Sequence, residues 1–190
     1  MPIDLVTPPT APAVSLDDAK LHLRVENSLE DTLIEAQVDA ATQAAEHIMQ
    51  RGVMPQQRAY TAHGFPAGSC PMTIRFGGIT DIDSITYVDP DGQLQTLAAS
   101  DYSVTISDRL TYISPVLDWP DVDGLHPLPV SVIFNCGWQD AAHVPAAVRS
   151  WILLRLAALY EMRSAWTQGQ PIQPNEHIDL MLDRYRVFSC

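Results

Sequence analysis

Trp151-Ile152-Leu153-Leu154-Arg155-Leu156-Ala157-Ala158-Leu159-Tyr160 is the longest apolar run of the chain, interrupted only by Arg155. It falls short of the roughly 20 residues needed to span a bilayer, so it predicts a helix buried against protein. Pro145 stands where a first-turn proline is tolerated, and the helix it opens is expected from about Ala146 to Trp166. Val148, Trp151, Ile152, Leu156, Leu159 and Tyr160 fall on one face, while Leu153, Leu154, Ala157, Ala158 and Met162 cover much of the rest. Only one face can meet the chain's own helices. A helix that is apolar nearly all round therefore calls for a neighbouring subunit, with Leu153, Ala157 and Met162 outward and Val148, Ile152, Leu156 and Leu159 inward.

The partners of its inner face lie at the other end of the chain. Ser15 precedes Leu16-Asp17-Asp18-Ala19 as an N-cap with carboxylates in the first turn, and a short helix is expected to about Val25. After Asn27-Ser28, a second helix from about Leu29 carries Leu33, Ile34, Val38, Ala41, Ala45, Ile48 and Met49 at three- and four-residue spacing, with Gly52 as its stop. From Val53 the period changes. Tyr60, 72–76, 84–88, 102–106, 110–113 and 130–134 mark short β-favouring segments, and Asp89-Pro90-Asp91-Gly92 between two of them reads as a hairpin turn. A last helix is expected over about 175–186, with Ile178, Met181, Leu182 and Tyr185 in register. The fold class is thus α+β: a helical base from residues 1–52 and 141–190, with an antiparallel lobe of five to seven strands inserted at 53–140.

Composition narrows the function. The chain has 190 residues, 46% of them hydrophobic, enough for a real core. Its 23 acidic residues against 11 basic give a formal net charge of -12, which opposes tight binding to a phosphate backbone. Lys20 is the only lysine, and the 15 prolines sit between elements without interrupting the helical runs. Cys70, Cys136 and Cys190 form no C-x-x-C pair, and no basic stretch followed by an apolar one opens the chain, so synthesis in the cytosol with reduced thiols is expected.

No constellation able to run a reaction is visible. The histidines at 22, 47, 63, 126, 143 and 177 form no i, i+4 pair or H-E-x-x-H motif. Asp118, Asp121, Asp123 and Gly124 mimic part of a calcium loop, but its order and distal Glu are missing, so a solvated acidic loop is expected. There is no G-x-x-x-x-G-K-[ST], G-x-G-x-x-G or G-x-S-x-G motif. Asp81 and Asp83, two apart on a strand start, could face the same way for acid-base work, but they read more simply as turn-flanking solubility. Neither a metal nor a cofactor is expected, and the chain is read as no enzyme.

Several stretches, in order and spacing, resemble the head-tail connector (adaptor) proteins of tailed double-stranded-DNA bacteriophages, in the longer variety with a β insertion. They are Leu5-Val6-Thr7-Pro8-Pro9, the capped segment from Val14 to Val25, Glu30-Asp31-Thr32-Leu33-Ile34, Tyr87 to Gly92, Asp101-Tyr102, Gly137 to Arg149 and Tyr160-Glu161-Met162-Arg163. The resemblance implies a structural virion protein of the neck: a ring of about a dozen copies below the portal that continues its channel toward the tail. Its implied partners are its own copies, the portal protein, a tail-completion protein and passing DNA without tight binding, with no membrane. The family brings no catalytic residues. Terminal segments dock in that family, which here points to Tyr185, Val187 and Phe188. A monomeric β-lobed tail-accessory or receptor-binding module is the rival reading, ahead of a small hydrolase accessory.

Overall fold

The computed structural model describes residues 3–161 and 176–188. Its elements are β1 (Ile3–Thr7), α1 (Leu16–Leu23), α2 (Asp31–Met49), β2 (Gln56–Ala62), β3 (Met72–Ile74), β4 (Ile79–Val88), β5 (Leu94–Thr96), β6 (Tyr102–Ile106), β7 (Thr111–Pro115), β8 (Val130–Cys136), α3 (Ala146–Glu161) and α4 (Glu176–Asp179). The fold is α+β, as expected. It divides into a helical unit, residues 11–54 and 138–186, and a β unit, residues 1–10, 55–137 and 187–190.

In the helical unit α1 begins where its sequence says it should. The Ser15 hydroxyl accepts from the Asp18 backbone N–H at 3.1 Å, and Arg24 ends the helix in the left-handed conformation with φ 59°. Lys20 then ties α1 to α2 through a 2.7 Å ion pair with Asp31. The α2 stripe is buried at Ile34, Val38, Ala41, Ala45 and Met49, and its alanines let α3 approach closely. Leu33, expected in that stripe, is instead 43% exposed. The helix also stops before Gly52: Gln50 takes the left-handed cap with φ 51°, and the buried Glu46 carboxylate accepts the Val53 N–H at 2.8 Å. A side chain on the last turn thus does the work expected of the glycine. From α3, Val148, Trp151, Ile152 and Leu156 complete the same core.

The β unit holds two antiparallel sheets, ordered β1-β2-β8-β4-β5 and β3-β7-β6, around one apolar core. Alternation along β8 sends Val130, Val132, Phe134 and Cys136 inward, where they meet Ile85 from β4 and Ile74 and Ile113 from the smaller sheet. Two strands lie outside the expected segments. Residues 3–7 pair with β2, so the chain's start belongs to the sheet and not to the helices, and three-residue β5 pairs with the end of β4. The turn joining β4 to β5 is the expected one. Asp89 accepts the Asp91 and Gln93 N–H groups at 3.1 and 2.8 Å, and Gly92 supplies the positive φ of 77°.

Candidate assembly surfaces

Among the described residues, no three His, Cys, Asp or Glu side chains stand close enough together to hold a metal ion. Asp81 accepts from Asn135 at 2.8 Å and from Thr80 at 3.0 Å, and register shifts on either side of it break the simple alternation that would pair it with Asp83. Asp118 accepts from Ser69 and Asp123 from the Leu125 N–H, so one carboxylate ties this acidic loop to the segment before β3 and the other closes a turn within it. His143 reaches Asp140 at 2.8 Å. That side-chain bond, with the His143 backbone N–H, holds the Asp140 carboxyl below its ordinary range. Burial raises the Tyr60 hydroxyl, and burial with the Asp83 charge raises Tyr102. Cys70 is exposed and Cys136 buried, with no disulfide between them.

The surfaces of α3 matter more. Val148, Ile152 and Leu156 are wholly buried, and Leu159 packs partly against the same core. Leu153, expected outward, is half-buried at the margin of that core, because the buried face is wide enough to reach both sides of Ile152. Ala157 is half-buried as well. The described apolar side chain that stands most clear is Leu154, 39% exposed, with Arg149 and Arg155 in solvent nearby on the helix. Met162 lies outside the described residues. Polar contacts fix the helix in place: Trp151 Nε1 donates to Asp179 at 2.9 Å, Tyr160 donates its hydroxyl to Glu30, and Gln37 donates to the Leu159 carbonyl.

Of the three docking candidates near the C-terminal end, one is exposed. Tyr185 is half-buried and packs edge-on against Trp138, ring centroids 6.0 Å apart. Arg51 covers the Trp138 ring at 5.3 Å, and the Trp138 N–H donates to the Val53 carbonyl. Leu182 is wholly buried and Val187 nearly so, leaving Phe188 exposed. The turn around 180–185 is thus part of the folded helical unit. Sequence reasoning also passed over Leu21, Leu29, Leu117 and Leu125, all strongly exposed. Their signal was present: each leucine stands in a polar or turn-rich neighbourhood where no periodicity asks for it.

Residues 13–70, less than a third of the chain, match the family described as Phage gp6-like head-tail connector protein. Of the stretches that carried the resemblance to connector proteins, the capped segment from Val14 to Val25 and the stretch from Glu30 to Ile34 fall inside this match. The fold matches more broadly. A chain from "Neck of empty GTA particle computed with C6 symmetry" superposes with a TM-score of 0.80 at 17% identity, covering 100% of this chain and 97% of that one. Chains from "Virion of native gene transfer agent (GTA) particle" and "Neck of native GTA particle computed with C12 symmetry" each give 0.78, at 16% and 17% identity, with the same coverage. At such identities the likeness is one of fold. Among curated proteins, none matches.

Proposed function

We propose that this chain is a structural head-tail connector of a tailed phage or a related particle, resident in the virion neck. One coincidence carries the reading: the segment matched by the connector family lies inside a fold shared, end to end, with chains of particle necks. Copies form a ring beneath the portal, extend its channel and receive the tail. Their role is mechanical, with no substrate and no metal. The net charge of -12 suits a conduit, since a passing duplex meets a surface that does not grip phosphate. The outer side of α3, around Leu153, Leu154 and Ala157, forms part of the subunit contact, and Phe188 is the exposed docking residue of the C-terminal segment.

Deleting the gene from its particle tests this. The expected result is filled or emptied heads and separate tails that fail to join, with joining restored by adding the purified protein. Normal joined particles without the protein would overturn the reading.

A further inference from the structure

A ring closes through two different surfaces of one chain, each meeting the other on the neighbouring copy. The outward side of α3 is one of them in the reading above, on which this inference rests. Its described part presents Leu154 and Ala157, has Arg149 and Arg155 exposed nearby, and carries no acidic residue before Glu161. The complementary surface should therefore be apolar, exposed and acidic.

The loop between β7 and β8, residues 116–129, has all three properties. Leu117 is 81% and Leu125 95% exposed, Asp118 and Asp121 lie in solvent between them, and no Lys or Arg occurs between Arg109 and Arg149. At fourteen residues it is longer than most connections, yet it is held firmly. Trp119 stacks on Phe65 with centroids 4.6 Å apart and planes 4° from parallel, and its Nε1 donates to the Cys70 carbonyl at 2.8 Å. The Asp123 N–H donates to the Val88 carbonyl at 2.9 Å. Aromatic and backbone groups therefore tie the loop down while its leucines stay in water. A loop already ordered loses little conformational freedom when it docks. Three other exposed leucines, Leu21, Leu29 and Leu33, are less suited, because Lys20 and Arg24 stand among the acidic residues there, whereas the loop carries neither Lys nor Arg.

We propose that loop 116–129 of one copy docks through Leu117 and Leu125 on the outward side of α3 of the next copy, with Asp118 and Asp121 toward Arg149 and Arg155. The contact is head-to-tail, so each copy offers both halves and the chain of contacts can close.

Disulfide trapping in the full chain tests it, since it captures even a weak self-contact. In a Cys70→Ser, Cys190→Ser background, Leu125→Cys and Leu154→Cys together should give, on mild oxidation of concentrated protein, a ladder of dimers, trimers and larger species. The pair should cross-link about tenfold faster than a Leu21→Cys, Leu154→Cys control pair. Either cysteine alone should stop at dimers. Asp121→Arg should slow the ladder, and Arg149→Asp with Arg155→Asp should restore it. Circular dichroism checks that each variant is folded. A pair no faster than the control overturns the contact, as does a ladder indifferent to charge reversal. Rings seen by electron microscopy while the pair stays unlinked would leave the connector reading standing and refute this contact alone.

Discussion

Ser15 shows how much one hydroxyl can settle. It accepts the Asp18 N–H and donates to the Asp18 carboxylate at 2.8 Å, closing the first turn of α1 inside the family-matched segment. Ser15→Ala should cost about 1 kcal/mol in urea denaturation, the usual worth of such a cap. A change within error would show that packing alone fixes the helix start. Asp89 has a comparable place in the β4–β5 turn. The Gln93 N–H, the Gln95 side-chain amide and the Asp91 N–H favour its ionised form and lower its pKa below the ordinary 3.8. A depressed carboxylate stabilises the fold above its unfolded value, and that contribution is lost as pH falls through the folded value. An NMR titration should therefore place the Asp89 midpoint below 3.8, with the hairpin loosening only in stronger acid. A midpoint at or above that value would mean that the turn does not hold the carboxylate in solution.

Elements with strong periodicity or clear turn chemistry were legible in the sequence; short or exposed ones were not. Residues 72–74, 102–106 and 130–136 fell where β-branched and aromatic alternation put them, because half-buried strands impose that pattern. By contrast β1 is exposed along most of its length and β5 along all of it, so neither needs an apolar face that could announce it. The end of α2 was misplaced because the buried Glu46 closes it from inside the helix, a tertiary fact no local stop signal records. For the candidate surfaces, the inward side of α3 was readable from helical spacing. Its margin at Leu153 was not, since the width of the buried face depends on which neighbours cover it. Leu156 and Ala157 separate the two roles. Leu156 is wholly buried, so Leu156→Asp places an unpaired charge in the core and should abolish the cooperative melt. On the proposed subunit face, Ala157→Asp should lower the melting temperature far less and still block head-tail joining. Equal destabilisation by both would make the helix wholly internal and move the ring contact elsewhere.

At the scale of the whole molecule, the net charge suits the proposed conduit. A net charge of -12 with a single lysine should leave the free protein with no measurable binding to duplex DNA at micromolar concentration near physiological salt. Salt-sensitive retention at that concentration would point to an arginine patch strong enough to overcome the net charge, and would remove the conduit argument. The helical unit and the β unit each have their own core, so substitutions at exposed positions of one should leave the melting of the other little changed. The most direct measurement of the central claim is an electron cryo-microscopy map of the particle's neck with this chain fitted by its side chains. The account predicts a ring of copies between portal and tail, with α3 at the subunit boundary. Density for the chain in a tail-tip or head-surface position, or as an isolated single copy, would contradict it.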